Sequence, residues 1–221
     1  MNIVKTDEQL QKDVISELAW DTRVGPAEVG VEVDAHVVTL TGTVPSWAKK
    51  LAAADAAHRV AGVLDVANNI IVKISDGPRP TDTEIAAAVR QALTWDEFVP
   101  ADRIQSTVEN GAVRLQGTVD YLAQREDAAR AVGYLAGVVA VDNQITVKRA
   151  DVSKTALRAA IQGALERQAL RDANRVQLEV EEGRVTLSGT VHSWAERQAV
   201  VGATRGTRGV DLVIDELRIS P

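Results

Sequence analysis

The amino-acid sequence predicts an α+β protein built from three tandem modules, each with the element order helix, strand, strand, helix, strand. Three observations lead to this prediction. A five-residue motif occurs three times, a second glycine follows each copy at a constant distance, and an amphipathic helical pattern precedes each copy. Self-similarity at a fixed period is the sequence signature of tandem structural units.

The repeated motif is Leu-x-Gly-Thr-Val, with its glycines 75 and 72 residues apart at Gly42, Gly117 and Gly189. A second glycine stands 20 residues later in each copy, at Gly62, Gly137 and Gly209. Glycine is unfavourable inside a strand, so the first one predicts a β-bulge or the close approach of a helix. The second glycine follows an alanine-rich segment and predicts a helix C-cap.

Periodicity assigns the elements of each module. The first helix of each module places apolar residues four apart on one face, which predicts buried stripes. Those stripes are Leu10, Val14 and Leu18, then Ile85, Val89 and Leu93, then Leu157, Ile161 and Leu165. Two strands follow, joined in the second module by Asn110-Gly111, which is a strong hairpin signal. The final strands are predicted at Val66–Ile74, Val141–Val147 and Val213–Ile219.

Boundaries between the modules are expected in short polar or proline-containing segments. One such segment is Ser75-Asp76-Gly77-Pro78-Arg79-Pro80 and the other surrounds Arg149-Ala150-Asp151. The predicted modules are therefore residues 1–77, 78–150 and 151–221, referred to below as modules 1, 2 and 3.

Composition excludes several classes of function. The chain has no cysteine, so it can form neither a disulfide nor a zinc site that needs thiolates. Its net charge of −6 argues against a nucleic-acid-binding protein, which needs a basic surface. No apolar run is long enough to span a membrane. The first residues do not resemble a secretory signal, so the expected location is the cytoplasm, or the periplasm if an upstream signal precedes this sequence.

The sequence contains no motif that is typical of a catalytic site. His36, His58 and His192 occupy different positions in their modules, and none has a second histidine at helical spacing. No phosphate-binding loop, nucleophile elbow or dinucleotide motif is present. The sequence therefore predicts a binding protein with no catalytic residue, no metal site and no cofactor.

The best candidates for a binding surface lie at the starts of the second helices. Each start pairs an aromatic or apolar residue with a nearby cation, a combination that can insert at a lipid headgroup layer. The candidates are Trp47, Lys49 and Lys50, then Leu122 and Arg125, then Trp194 and Arg197. The alternative, which we favour at this point, is that the tryptophans pack against the sheet edge and the cations are solvated. Trp20 and Trp95, which share one module position, are expected to pack in the core, and Arg167 takes that place in module 3.

These landmarks resemble the BON domain, a module of OsmY-like osmotic-stress proteins. The resemblance rests on the Leu-x-Gly-Thr-Val motif, the Ser-Trp pair, the alanine-rich helix, Gly-Val and an Asn-x-Ile strand, and it covers nearly the whole chain. It implies two helices on one face of a three-stranded sheet and a non-enzymatic role, usually phospholipid or membrane-surface binding. Relatives of this kind are exported and often have two copies, whereas this chain has three. Tyr121-Leu122 replaces the Ser-Trp pair in module 2.

Two functional hypotheses follow. The first is a tandem scaffold that binds an anionic phospholipid surface or a protein partner in osmotic or envelope stress, with weak contacts added across modules. The second is a sensor of a small ligand or a potassium-like cation, since some relatives couple such a module to another domain for that purpose. Backbone carbonyls can bind a cation without a side-chain signature, so the sequence leaves this alternative open.

Overall fold

The structure, a computed structural model, describes residues 5–24, 29–74, 79–148, 152–167 and 175–219. The helices and strands follow the predicted order in all three modules. Module 1 contains α1 (Asp7–Trp20), β1 (Val29–Asp34), β2 (Val37–Val44), α2 (Trp47–Arg59), β3 (Asp65–Asn68) and β4 (Ile71–Val72). Module 2 contains α3 (Asp82–Trp95), β5 (Ile104–Glu109), β6 (Ala112–Val119), α4 (Leu122–Gly133) and β7 (Ala140–Val147). Module 3 contains α5 (Lys154–Arg167), β8 (Val176–Glu181), β9 (Arg184–Val191), α6 (Trp194–Arg205) and β10 (Leu212–Ile219).

Contacts between Cα atoms divide the chain into two compact units. Unit 1 holds residues 1–92, 106–114 and 130–142, and unit 2 holds 93–105, 115–129 and 143–221. Module 2 thus contributes residues to both units. The predicted linker residues 75–78 and 149–151 lie outside the described residues, so the three-domain division stays a prediction.

Each module has its own small mixed sheet with the second strand in the middle, in the orders β1-β2-β3, β5-β6-β7 and β10-β9-β8. In module 1 the pairing of β1 with β2 is antiparallel and that of β2 with β3 is parallel. Module 3 repeats this arrangement. Parallel neighbours require a crossover connection, which α2 and α6 supply. The last strand of module 1 departs from the prediction because it is split into β3 and β4, and the intervening Ile70 is buried.

The predicted helix stripes are confirmed, since all nine positions are between 0 and 6% exposed. In module 1 they join a cluster of small and aliphatic side chains from the sheet and from α2, including Leu40, Ala53 and Ala57. The alanines let α2 lie close to the sheet, because a methyl group is the only side-chain atom between the two backbones. The cores are therefore aliphatic, as the low aromatic content predicts.

Each of the first two hairpin turns is held by the first residue of the preceding helix. The carboxylate of Asp7 accepts hydrogen bonds of 3.0 Å from the backbone N–H groups of Ala35 and His36, which have φ values of 45° and 65°. Asp82 does the same for Asn110 and Gly111. The two positive φ values match the turn that closes a two-residue hairpin. Lys154 occupies this position in module 3, so the same anchor is absent there.

The motif glycines are required by the neighbouring strand. Gly117 and Gly189 have φ values of 147° and 116°, and a Cβ atom on either would overlap a backbone carbonyl oxygen, that of Arg103 or Arg175. These two carbonyls immediately precede β5 and β8. The close approach therefore comes from the backbone that enters the neighbouring strand, and in module 2 this is the last residue of the short 3-10 helix Ala101–Arg103.

The second glycines do not cap the second helices, which corrects another prediction. Helix α2 ends at Arg59 with Val60 as its C-cap, and Gly62 lies beyond it in the turn at a φ of 102°. A Cβ on Gly62 would lie 3.0 Å from a methyl group of Leu10. A Cβ on Gly137 would lie 2.8 Å from a methyl group of Ile85, whereas a Cβ on Gly209 would lie 3.2 Å from Val152 and 3.7 Å from Leu157. Glycine is needed here so that the first helix can pack against this turn.

Candidate binding surfaces

The candidate residues at the start of α2 make their contacts within the protein. Ser46 caps the helix by accepting a hydrogen bond from the backbone N–H of Lys49. The ammonium of Lys50 lies 5.5 Å from the ring centroid of Trp47, within cation–π range. The ammonium of Lys49 donates to the carbonyl oxygen of Val24 at 3.3 Å. Both cations therefore have protein partners, and Trp47 is half-buried.

The start of α6 has the same arrangement of a tryptophan and a cation, and here the cation also forms an ion pair. The guanidinium of Arg197 lies 5.1 Å from the ring centroid of Trp194 and donates to the carboxylate of Asp215 at 2.8 Å. The side chains of Arg197 and Asp215 are only 14% and 22% exposed. Much of the charge of Arg197 is thus neutralised inside the module. An anionic surface would have to compete with Asp215 for it.

The start of α4 differs from the other two. Leu122 is 4% exposed and belongs to the buried cluster that contains the apolar residues of α5 and α6. The prediction that Leu122 lies on a lipid-inserting surface is therefore wrong, because almost none of its surface is accessible to another molecule. Arg125 donates to the carbonyl oxygen of Asn143 at 3.4 Å.

The short polar residue that recurs in the sequence links the second helix to the last strand. The amide nitrogen of Asn68 donates to the carbonyl oxygen of Lys50, and that of Asn143 donates to the carbonyl oxygen of Arg125. Asp215 lacks a donor and instead accepts from Arg197. Lys50, Arg125 and Arg197 occupy one repeat position, so this position serves a structural purpose in every module.

The most exposed apolar side chains lie elsewhere, at the end of the first helix. Trp20 and Trp95 are 83% and 78% exposed, and Phe98, three residues after Trp95, is 74% exposed. The prediction that the two tryptophans pack in the core was wrong. The signal was present in the sequence, because Trp20 follows the buried Leu18 by two residues and so points about 200° away from the buried stripe.

None of the seven aromatic residues of the chain is buried, and all seven are described by the structure. Trp20, Trp95, Phe98, Tyr121 and Tyr134 are exposed, while Trp47 and Trp194 are half-buried. Aromatic side chains gain much free energy when they leave water. The exposure of the first five therefore favours a role in contacts with other molecules.

A network of ion pairs lies beside Trp20. The side chain of Asp21 is 6% exposed, and its carboxylate accepts from the guanidinium groups of Arg23 and Arg59 at 2.6 and 2.7 Å. Arg59 also donates to Glu17 at 2.9 Å. Hydrogen bonding to Arg23, with a further contribution from Arg59, holds the pKa of Asp21 well below its usual value of 3.8. The network balances its own charges, so it does not favour an anionic partner.

Replacing Asp21 with asparagine is expected to lower the thermal unfolding midpoint at pH 7. The folded-state pKa is depressed, so the carboxylate stabilises the fold above the unfolded-state value of 3.8, and this contribution is lost as the pH falls through the folded pKa. Unfolding followed by circular dichroism from pH 7 to pH 2 should show the difference between Asp21→Asn and the unaltered protein shrinking on acidification. A difference in unfolding midpoint that stays constant across this pH range would contradict the lowered pKa of Asp21.

No group of three or more His, Asp or Glu side chains that could hold a metal ion occurs among the described residues. The imidazole of His36 contacts the carbonyl oxygen of Lys5 at 3.0 Å, and that of His192 contacts the guanidinium of Arg175 at 2.7 Å. A cleft of about 780 Å³ lies in module 3 at the hairpin turn, where Lys154 replaces the anchoring aspartate. Its other charged side chains belong to Glu181, Glu182, Arg184 and Asp211.

Within the described ranges, no helix has the length and apolar character needed to cross a membrane. The helices α1, α3 and α5 have 14 residues each, and charged side chains occur in all three.

The chain is similar to several known proteins. The chain is 29% identical over 146 residues to osmotically-inducible protein Y of Escherichia coli (strain K12), which corresponds to 64% of this chain and 73% of the relative. Two solved structures of CdsD, a structural protein of the type III secretion system of Chlamydia trachomatis, are also similar. They are 16% and 15% identical with TM-scores of 0.28 and 0.27, over 96% and 95% of this chain and 92% and 98% of theirs. TM-scores this low support no inference.

The family comparison is more informative than the individual relatives. The model of the BON domain matches residues 6–74, 81–149 and 153–221, which together make up nearly all of the sequence. Each match contains one Leu-x-Gly-Thr-Val motif, one alanine-rich or small-residue helix and one polar residue that ties that helix to the last strand. The chain therefore belongs to the BON domain family, with three copies of the domain in tandem.

Proposed function

We propose that the protein is a non-enzymatic binding protein that attaches to phospholipid surfaces through exposed aromatic residues of modules 1 and 2. A role in osmotic or envelope stress is supported by its similarity to an osmotically inducible protein. The observation that carries the proposal is the exposure of Trp20 and Trp95 at one repeat position, with Phe98 beside the latter.

Tryptophan suits the boundary between water and lipid because its ring is apolar and its indole N–H is polar. A ring exposed by about 80% in water can lose most of that contact when it enters the headgroup region. Because two modules carry such a ring, weak insertions would add if both reach one surface.

The distribution of charges indicates whether aromatic insertion or electrostatic attraction contributes more to the binding energy. The cations first expected to meet lipid, Lys49, Lys50 and Arg197, have partners within the protein. The net charge of −6 also opposes an anionic surface. We therefore expect binding to depend mainly on aromatic insertion and only weakly on salt. A protein partner with an apolar patch is the second candidate for the same residues.

Vesicle co-sedimentation tests the proposal with zwitterionic phosphatidylcholine vesicles and with vesicles that also contain phosphatidylglycerol. The variant Trp20→Ala/Trp95→Ala/Phe98→Ala is expected to lose at least tenfold in vesicle affinity, because three exposed rings are removed. These side chains contribute little to the core, so circular dichroism of the variant should remain unchanged.

Tyr121→Ala is the matched control, because Tyr121 is exposed and aromatic but lies at another module position. It is expected to bind vesicles like the unaltered protein. Failure of the unaltered protein to bind either vesicle, or equal binding by the triple variant, would reject the lipid proposal.

A further inference from the structure

A contact within unit 1 joins the start of one second helix to the end of another. The backbone N–H of Trp47, at the start of α2, donates to the carbonyl oxygen of Val138 at 3.2 Å. The ring of Trp47 and the side chain of Leu51 lie against Gly133, the last residue of α4, where an added Cβ would be 3.4 Å and 3.7 Å from them. Gly133 is buried as a result. The start of a helix in module 1 thus packs against the end of a helix in module 2.

A second contact, within unit 2, repeats this arrangement one module later. Leu122, at the start of α4, is buried in the cluster that contains residues of α5 and α6. Glu126, one turn further, forms an ion pair of 3.1 Å with Arg205, the last residue of α6.

The two contacts involve the same repeat positions. With the repeat spacings of 75 and 72, Leu122 corresponds to Trp47, Glu126 to Leu51 and Arg205 to Gly133. The side chains differ, but the register is the same. The contact between a helix start and a helix end is therefore a property of the repeat and not an accident of one pair of modules.

The repeat defines one further helix start and one further helix end. The start is that of α6, with Trp194 and Gln198, and the end is that of α2, with His58. Ser193, Ala195 and Gln198 are exposed, whereas the equivalent Ser46, Ala48 and Leu51 of module 1 are half-buried. His58 is likewise more exposed than the equivalent Gly133.

We propose that the start of α6 in one molecule docks on the end of α2 in a second copy of the chain. The contact would repeat the arrangement seen within units 1 and 2, with Trp194 near His58 and Gln198 facing the same helix end. An aromatic ring against an imidazole and a neutral amide beside it form a compatible pair. The two surfaces differ, so the association is heterologous and joins molecules head to tail. The contact area of one helix start is small, so we expect dissociation constants on the order of 100 µM.

Charges at the two facing positions provide a matched test. His58→Arg with Gln198→Glu recreates across two molecules the Glu126–Arg205 pair that exists within the chain. His58→Arg with Gln198→Arg instead places two cations together. The variants differ at one exposed residue, and both share the change at His58, so any effect of that change on folding is common to them.

Sedimentation equilibrium without lipid measures the outcome. The weight-average mass of the unaltered protein should rise above the monomer value of 23.7 kDa as concentration increases to about 1 mM. The variant with glutamate should associate at least tenfold more tightly than the variant with arginine at position 198, and added salt should reduce this difference.

Control variants place the same charges at Gln177, an exposed glutamine on β8. His58→Arg/Gln177→Glu and His58→Arg/Gln177→Arg should associate equally. The aromatic triple variant used for vesicles should self-associate normally, which separates this proposal from lipid binding. A mass of 23.7 kDa for the unaltered protein and the glutamate variant at every concentration, or equal association of the two position-198 variants, would overturn the proposal.

Discussion

Replacing Gly189 with alanine is expected to lower the free energy of unfolding by about 3 kcal/mol or more. Two effects act together. The backbone of Gly189 has a φ of 116°, which side chains disfavour, and a Cβ atom would overlap the carbonyl oxygen of Arg175. That carbonyl belongs to the backbone entering β8, so relief would require shifting a strand. Urea unfolding of the 221-residue protein, combined with hydrogen exchange of β8 and β9, measures the loss and locates it.

Gly202→Ala is the matched control in the same module. Gly202 lies within α6, and an added Cβ would have no atom within 4 Å. Alanine in a helix interior is favoured over glycine by about 0.5–1 kcal/mol, so this variant should be slightly more stable than the unaltered protein. Equal effects of the two substitutions would show that neither the positive φ nor the neighbouring strand constrains Gly189.

Local patterns predicted the elements and the cores well. A helix of 14 residues with Leu10, Val14 and Leu18 on one face has only one way to bury its apolar side chains against a small sheet. The resemblance to the BON domain implied the sheet with two helices, and the structure confirms this fold. These inferences succeed because helix and strand periods depend on near neighbours in sequence.

Sequence patterns could not identify contacts between residues that are far apart in the chain. The cation of Arg197 looked available for lipid, but its partner Asp215 lies 18 residues away and meets it only after folding. The second glycines looked like helix caps, but their purpose is to admit Leu10 and its equivalents from the first helix. Both errors arise because tertiary neighbours determine what a surface residue or a glycine does.

The exposed tryptophans show a different kind of error. Their position relative to the buried stripe could be read from the helix period, but both tryptophans were expected to pack in the core at the end of the first helix. The helix period should have taken precedence over the residue type, because Trp20 and Trp95 lie opposite the stripes of Leu18 and Leu93. An apolar residue on the polar face of an amphipathic helix is therefore the informative observation in this sequence.

Replacing Leu122 with alanine is expected to lower the free energy of unfolding by about 2–4 kcal/mol. Leu122 is 4% exposed and packs among the aliphatic side chains of module 3, although its own helix belongs to module 2. Truncation removes buried methyl groups and leaves a cavity that the surrounding β-branched side chains fill only in part. Urea unfolding gives the loss, and hydrogen exchange should show faster opening of α5 and α6, where the cluster lies.

Tyr121→Ala distinguishes this packing from a role in lipid insertion. Tyr121 is the adjacent residue and is 41% exposed, so its removal should change the free energy of unfolding by no more than about 0.5 kcal/mol. If Leu122→Ala left unfolding and exchange unaltered but weakened vesicle binding, Leu122 would belong to an exposed surface, as the pattern of the sequence first suggested. If exchange quickened in α5 and α6 while vesicle binding persisted, a residue of module 2 would be shown to stabilise module 3. The starts of the second helices would then act mainly as contacts between modules, with lipid contact assigned to the ends of the first helices.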